Sequence, residues 1–145
     1  MRIVLADDDQ SVRGALRLML EELLAERSDG SPRAPSDITE AGSSEALLLT
    51  LEQDAADLVL LDWELPDLPV ERLMDRARKH RPRCVVIAMS GRPEAARDAV
   101  ARGADAFISK SEPPDRLIDA LLRVLRAASA SRTPSGSPGS CCRRT

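Results

Sequence analysis

The feature that most restricts the fold is a short, unbroken apolar run, Leu58 to Leu61, which ends directly on Asp62. A strand that is apolar at every position has no side for solvent, so it must lie in a sheet that is covered on both faces. The chain begins in the same way, because Ile3 to Ala6 lead directly into an acidic triplet at residues 7–9. Carboxylates brought together at one edge of a sheet repel one another unless a cation neutralises them. The two runs therefore predict a buried sheet with crowded acids at its rim.

Strand-like and helix-like segments alternate along the remaining sequence. After each strand, apolar residues recur at helical spacing, and the last helix, which begins at Pro114, has the broadest apolar stripe. The alternation predicts an α/β fold with a parallel sheet, because each parallel crossover is right-handed and needs a covering helix. The five predicted strands are 3–6, 37–41, 58–61, 85–89 and 104–109.

Length and composition predict one globular domain followed by a short tail. The 145 residues are enough for a single hydrophobic core and too few for two. A polar segment at 27–36 contains one glycine and two prolines and is expected to form a long loop. From residue 128 the sequence is rich in Ser, Pro, Gly and Arg and cannot bury enough apolar surface to order itself. We therefore expect a domain over residues 1–127 and a disordered tail over 128–145.

Charge and hydropathy exclude several classes of protein. The chain has a net charge of −3, and residues 1–128 alone carry −6 because the tail holds three arginines and no acid. An acidic body argues against nonspecific contact with a nucleic acid backbone. No apolar run is long enough to cross a bilayer and no signal peptide precedes the first strand, so we expect a cytoplasmic protein without membrane insertion. Cys84 and the adjacent Cys141 and Cys142 form neither a disulfide framework nor a metal-binding spacing.

Five reactive side chains are expected at the carboxyl ends of the strands, where ligands bind in open α/β sheets. An acidic pair with one further carboxylate offers the oxygen ligands that Mg²⁺ prefers. A lysine and a hydroxyl group neutralise and hydrogen-bond a phosphoryl group, so the set suits phosphoryl transfer. Each residue alone also has a simpler interpretation, as a helix cap, a turn residue or a solvated surface cation. The five are Asp7, Asp8, Asp62, Ser90 and Lys110.

These residues, in this order, resemble the receiver domain of two-component response regulators, and the resemblance covers about residues 1–127. It implies a flavodoxin-like, doubly wound sheet of five parallel strands in the order 2-1-3-4-5 with five helices. It also implies a signalling switch rather than an ordinary enzyme, since such a domain catalyses only its own phosphorylation and dephosphorylation. The tail of about eighteen residues is too short for an output domain, so we expect a stand-alone receiver, but a receiver cut from a longer regulator would have the same sequence pattern. The implied phosphoryl donor is a sensor histidine kinase, a histidine phosphotransfer protein or a small molecule such as acetyl phosphate. A monomer or a phosphorylation-dependent dimer without direct contact with nucleic acid is expected, and the downstream protein partner is left open.

The resemblance also implies a role for each matching residue. Asp62 is the implied phosphoacceptor, with Lys110 and Ser90 contacting the phosphoryl group. The metal is Mg²⁺, bound by three carboxylates and by the backbone carbonyl of Glu64. Phe107 matches the aromatic switch, which rotates when Ser90 moves towards the phosphoryl group and so reshapes the face formed by the fourth helix, fifth strand and fifth helix. The three metal-binding carboxylates are those of Asp7, Asp8 and Asp62.

The sequence departs from the family pattern at two positions and adds a charged pair beside the site. Ser111 follows the lysine where the family commonly has a proline, so a cis peptide bond is not expected there. Phe107 lacks the hydroxyl of the commoner tyrosine, so the switch would depend on packing alone. Glu64 and Arg92 each lie two residues after a site residue, and we expect them to form an ion pair over the site that slows attack by water. A solvated surface pair is the alternative interpretation.

Two other functions fit parts of the pattern. A phosphatase of the haloacid dehalogenase type would use Asp7 as its nucleophile in an Asp-x-Asp motif, with Mg²⁺, Ser90 and Lys110 in support. Asp62 would then have no role, and no second acidic pair follows Lys110 at a strand end. A receiver-like interaction module that never accepts phosphate would not need Asp62, Lys110 and Ser90 together.

Overall fold

The computed structural model describes residues 1–26 and 37–131, so the predicted loop at 27–36 and most of the predicted tail lie outside the described residues. Within these residues, strands and helices alternate as predicted, and no helix is long and apolar enough to cross a bilayer. In chain order the elements are β1 (Arg2–Ala6), α1 (Gln10–Glu26), β2 (Asp37–Ala41), α2 (Ser44–Gln53), β3 (Leu58–Asp62), α3 (Val70–His80), β4 (Val85–Ser90), α4 (Ala95–Ala101), β5 (Ala106–Ser109) and α5 (Pro114–Ser131).

All five strands are parallel and lie in the order β2-β1-β3-β4-β5, which confirms the predicted fold class. β1 pairs with β3 so that Ala6 lies beside Leu61. On the other side of β3, Asp62 lies beside Met89 of β4. Because parallel neighbours end at the same edge of a sheet, the residues at the ends of β1, β3, β4 and β5 all reach one rim.

The sheet is covered on both faces, as the apolar run in β3 requires. All five positions of β3 are buried, and successive side chains point to opposite faces. Val59 and Leu61 pack with the buried leucines of α2 and α3, whereas Leu58 and Leu60 pack with those of α1 and α5. Full burial of a leucine side chain contributes about 1.5 to 3 kcal/mol. The two apolar layers therefore hold the central strand, and with it Asp62, in a fixed position.

The observed helix boundaries refine the predicted ones. α4 begins at Ala95, because a turn precedes it in which the N–H of Ala96 donates to the carbonyl of Pro93 at 3.2 Å. Gly103 follows α4 with a φ of +97°, the left-handed conformation that glycine adopts most easily at a helix end. α5 continues to Ser131, past the predicted domain boundary, since the alanines at this end favour a helix. The boundary at residue 127 stays a prediction.

Arg78, on α3, joins three segments at the end of the sheet remote from the acids. Its guanidinium group donates to the carbonyls of Cys84 and Gly103 and to Asp105 Oδ2, at 2.6 Å for Gly103 and 2.9 Å for Asp105. Asp105 Oδ2 in turn accepts from the N–H of Val86 at 2.8 Å. Burial raises the pKa of Cys84 to about 11, so this side chain stays a neutral thiol in the apolar layer. The sequence patterns did not indicate this network.

Candidate functional site

β1 and β3 bring three carboxylates together at the carboxyl rim of the sheet. Asp7 is fully buried, Asp62 is 2% exposed and Asp8 is exposed. One carboxylate oxygen from each lies within 4.8 Å of the others. In the part of the chain that the structure describes, these are the acidic side chains close enough to share one metal ion. The three predicted acids therefore converge on one point.

Lys110 follows β5 and places its ammonium group between the two buried carboxylates. Its Nζ donates to Asp7 Oδ2 at 2.7 Å and lies 3.3 Å from Asp62 Oδ1. Burial by itself lowers the pKa of Lys110, but the hydrogen bond to Asp7 and the charges of both carboxylates outweigh this effect, so the net pKa is raised. The lysine is therefore a permanent positive charge beside Asp62.

Burial makes the ionised form of Asp62 less favourable. Removal from water raises its pKa above the ordinary value of 3.8, and the negative charge of Asp7 adds to this effect. The N–H of Glu64, which donates to Asp62 Oδ1 at 3.1 Å, and the charge of Lys110 oppose the rise in pKa. One lysine faces two buried carboxylates and the exposed Asp8, so negative charge is in excess. A divalent cation with oxygen ligands would fit this donor set and neutralise it.

Ser90 ends β4 and is fully buried. Its hydroxyl donates to Glu64 Oε1 at 2.8 Å, and its oxygen accepts from the N–H of Arg92 at 3.0 Å. The hydroxyl is thus directed at the side chain of Glu64. A phosphoryl group on Asp62 would compete with Glu64 for this donor.

The expected ion pair between Glu64 and Arg92 is present. Arg92 Nε lies 2.7 Å from Glu64 Oε1, the same oxygen that accepts from Ser90. Arg92 first, and Ser90 second, lower the pKa of Glu64. The side chain of Glu64 is 42% exposed and that of Arg92 is 62% exposed. Solvent therefore screens the pair, and the pair adds little to stability. The pair lies next to the site, because the backbone N–H of Glu64 donates to Asp62.

The predicted switch residue, Phe107, lies in β5 beside Ala88 and packs half-buried against the apolar layer that contains α2, α3 and α4. At the end of β5, the hydroxyls of Ser109 and Ser111, the residues on either side of Lys110, lie 2.6 Å apart. All peptide bonds in the described residues are trans, as expected from the serine at position 111. The sequence patterns did not indicate this serine pair, for which the Ser-x-Ser spacing was the available signal.

Arg13, on α1, is a second residue beside the site that the sequence patterns did not indicate. Its guanidinium group donates to the backbone carbonyl of Asp7 at 2.6 Å and to Glu40 Oε2 at 3.2 Å. Asp9 accepts from the N–H of Ser11 at 2.8 Å at the start of α1. These contacts hold the β1–α1 turn, and with it the acidic triplet, in place.

The position of Asp62 argues against the haloacid dehalogenase hypothesis. That reaction would use Asp7 as the nucleophile and leave Asp62 without a role, yet Asp62 lies inside the acidic cluster and 3.3 Å from Lys110. Within the described ranges, no acid that follows Lys110 joins the cluster.

Comparison with known proteins agrees with this geometry. The sequence model of the family described as response regulator receiver domain matches residues 3–122. The transcriptional activator protein ExaE of Pseudomonas putida is 30% identical over 143 residues, which are 97% of this chain and 63% of that protein. The probable transcriptional regulatory protein SgaR of Hyphomicrobium methylovorum is 34% identical over 86 residues, which are 58% of this chain and 41% of that protein. The chain thus spans less than two thirds of the length of these relatives.

Solved structures have the same fold. A CheY-like response regulator receiver domain protein from Methanospirillum hungatei JF-1 matches with a TM-score of 0.74 and 25% identity, over 90% of this chain and 97% of that one. NtrX from Brucella abortus matches with a TM-score of 0.71 and 27% identity, over 90% of this chain and 28% of that one.

Proposed function

Because the chain belongs to the response regulator receiver domain family, we propose that it is a phosphorylation-dependent signalling switch whose phosphoacceptor is Asp62. The observation that carries the proposal is the convergence of Asp7, Asp8 and Asp62, with Lys110 between the two buried acids. Family membership indicates the class of reaction. The convergence supports the assignment of this reaction to these side chains.

We infer that the cofactor is Mg²⁺, held by the carboxylates of Asp7, Asp8 and Asp62 and by the backbone carbonyl of Glu64. The donor set supports this inference, since it consists of oxygen atoms and includes the exposed Asp8 on the solvent side. The backbone of Glu64 lies beside the phosphoacceptor, because its N–H donates to Asp62. When bound, the ion would offset negative charge on the phosphoryl oxygens.

In the transfer step, a carboxylate oxygen of Asp62 attacks phosphorus and forms an O–P bond, while the P–N bond to the donor histidine breaks. The bonding electrons leave with the imidazole nitrogen, which takes up a proton from solvent. Lys110 keeps its positive charge and compensates the negative charge that accumulates beside Asp62. The product is an aspartyl phosphate.

The response to phosphorylation would begin at Ser90. Its hydroxyl now donates to Glu64, and the phosphoryl group offers it a more highly charged acceptor. Movement of Ser90 would open space for Phe107, and the face formed by α4, β5 and α5 would change shape. The Glu64–Arg92 pair would limit the approach of water to the aspartyl phosphate.

Partners and domain limits are also part of the proposal. The donor is a sensor histidine kinase or a histidine phosphotransfer protein, and the receiver domain comprises residues 1–127, with the tail at 128–145 outside it. Two relatives are named as transcriptional regulators, but this chain covers only part of their length. The charge of −6 on residues 1–128 supports contact with protein rather than with nucleic acid.

The test is incubation of the purified protein with acetyl phosphate and Mg²⁺, followed by intact-mass spectrometry. We expect one phosphoryl group on the wild-type protein, none on Asp62→Asn, and none when EDTA removes the metal. Asp67→Asn, which changes an exposed acid outside the cluster, is the matched control and should be labelled like the wild type. Labelling of Asp62→Asn at unchanged stoichiometry would contradict the assignment. Steady hydrolysis of p-nitrophenyl phosphate that survives Asp62→Asn but not Asp7→Asn would favour the phosphatase instead.

A further inference from the structure

Trp63, the residue directly after the proposed phosphoacceptor, is tied to helix α4. Its indole Nε1–H donates to Asp98 Oδ2 at 3.1 Å, and the side chain is only 6% exposed. Its backbone N–H donates to the carbonyl of Met89 at 2.7 Å, so the main chain of this residue is held against β4. The indole therefore joins the rigid end of the sheet to α4, and the bond satisfies a polar group that burial would otherwise leave without a partner.

The carboxylate of Asp98 is shared between this indole and a second contact. Its Oδ1 accepts from Arg102 Nε at 2.8 Å, and Arg102 Nη2 lies 3.0 Å from Glu71 Oε1 on α3. These ion pairs are about half exposed and screened by solvent, so each is a weak restraint. The bond from the buried indole is the better protected of the two contacts that Asp98 makes.

α4 has few other contacts that fix its position. It is seven residues long, its buried side chains are the alanines Ala95 and Ala99, and Val100 is 59% exposed. Its cap residue, Glu94, makes no side-chain hydrogen bond to the first turn. A helix with so small an apolar contact depends strongly on each polar contact that orients it.

We propose that Trp63 and Asp98 are positioning residues whose hydrogen bond couples the chemical state of Asp62 to the position of α4. The proposal depends on the proposed function of Asp62 as phosphoacceptor. A phosphoryl group adds about two negative charges and takes the Asp62 oxygen that now accepts from the N–H of Glu64, so the backbone directly after Trp63 adjusts. The indole passes this adjustment to Asp98. Because the bond is made while Asp62 is unmodified, it stabilises the resting position of α4.

The first variant is Trp63→Phe, which keeps an aromatic ring in the apolar layer and removes the N–H donor together with part of the indole ring. Its matched control is Arg102→Gln, which removes the ion pair on the other oxygen of Asp98 and leaves the indole bond intact. The probe is the beryllium fluoride complex with Mg²⁺, a mimic of the phosphoryl group. Its dissociation constant is measured by calorimetry, and hydrogen exchange is followed at the amides of residues 95–101.

In the wild type, we expect beryllium fluoride to change hydrogen exchange in α4. In Trp63→Phe, exchange in α4 should already be faster without the probe, and the probe should bind about fivefold more tightly, the factor that corresponds to loss of one ordinary hydrogen bond from the resting state. Asp98→Ala should give the same shift, and the double variant should show no larger one, because both changes break the same bond. Arg102→Gln should bind the probe as the wild type does.

The outcomes separate this inference from the proposed function. If the wild type binds no beryllium fluoride in the presence of Mg²⁺, the proposed function itself fails. If the wild type binds it, but Trp63→Phe and Asp98→Ala bind within twofold of the wild type and leave α4 exchange unaltered, the coupling alone is wrong. An equal shift in Arg102→Gln would also overturn the coupling, since it would reflect general loosening of α4. Urea unfolding midpoints for each variant establish that the fold is retained.

Discussion

Replacing Asp62 with asparagine should stabilise the metal-free protein at neutral pH, although it removes the proposed phosphoacceptor. The side chain is 2% exposed, and its burial raises its pKa. Asparagine has nearly the same shape, and its Oδ1 can still accept from the N–H of Glu64, which donates to Asp62 at 3.1 Å. The substitution removes the ion pair between Asp62 and Lys110. Its distance of 3.3 Å is longer than the 2.7 Å between Lys110 and Asp7. The substitution therefore removes a poorly solvated charge at small cost.

The size of the gain follows from the balance of these contacts. Each unit by which the folded state raises a pKa corresponds to about 1.4 kcal/mol of lost stability once the group is ionised. The hydrogen bond and the lysine already offset part of the burial effect at Asp62. We expect a net gain of about 1 to 2 kcal/mol in the free energy of unfolding, which is within the range that single stabilising substitutions commonly give. For a chain of this size, this gain raises the melting temperature by roughly 2 to 8 °C.

The sign of the pH dependence follows from the raised pKa. Below the ordinary value of 3.8, Asp62 is protonated in both the folded and the unfolded chain, so the substitution changes little. As the pH rises through the raised pKa of the folded state, the wild type loses stability because the unfolded chain ionises more easily. The asparagine variant has no such loss. Its advantage should therefore be absent at pH 3 and present at pH 7.

The assay is urea unfolding in EDTA at pH 3 and pH 7, for the wild type, Asp62→Asn and the control Asp67→Asn. The control changes an exposed acid and should stay within about 0.5 kcal/mol of the wild type. Mg²⁺ should reverse the order at pH 7, because an ion at 100 times its dissociation constant adds about 2.7 kcal/mol and the variant has lost one proposed ligand. A variant that is no more stable than the wild type at pH 7, or equally stabilised at pH 3, would refute the reasoning.

Two further predictions concern contacts on either side of the sheet. Replacing both Glu64 and Arg92 with alanine should shorten the lifetime of the aspartyl phosphate by a small factor, roughly two- to fivefold, since water then reaches the site more easily. A phosphate-release time course measures this, and an unaltered lifetime would discard the role. Arg78→Ala should lower the free energy of unfolding by about 2 to 3 kcal/mol, because three acceptors in two segments lose their donor. In urea titrations the exposed Arg72→Ala serves as its control, and equal midpoints for the two variants would contradict this account.

The outline of the fold could be predicted from local patterns. Short apolar runs predicted β1, β3 and β4, and apolar residues at helical spacing predicted the helices, because each pattern reflects which faces of its own element must be buried. The strand order came from the family resemblance, since periodicity does not say which strands are neighbours. Helix ends were less well predicted: α4 begins at Ala95 after a turn, and α5 extends to Ser131. Helix ends depend on a few hydrogen bonds rather than on a repeated pattern.

The sequence predicted which residues belong to the candidate site, but it did not predict which groups these residues contact. An acid or a lysine after an apolar strand is visible in the sequence, so Asp7, Asp62 and Lys110 were all expected at one rim. The bond from Ser90 to Glu64, the contact between the serines on either side of Lys110 and the contacts of Arg13 were not expected. The partner of a side chain depends on ångström-level positions that only the packed backbone defines.

By itself, the sequence determined that this chain must bury a parallel sheet and must bring acids to the carboxyl ends of its strands. Hydrophobic burial is non-directional and depends on the spacing of apolar residues, so it can be read from neighbouring positions. Two hydrogen bonds depend on the packed fold: the one from Lys110 to Asp7, 103 residues away, and the one from Trp63 to Asp98, 35 residues away. Hydrogen bonds require both distance and direction, and those are defined only after the strands and helices have packed together.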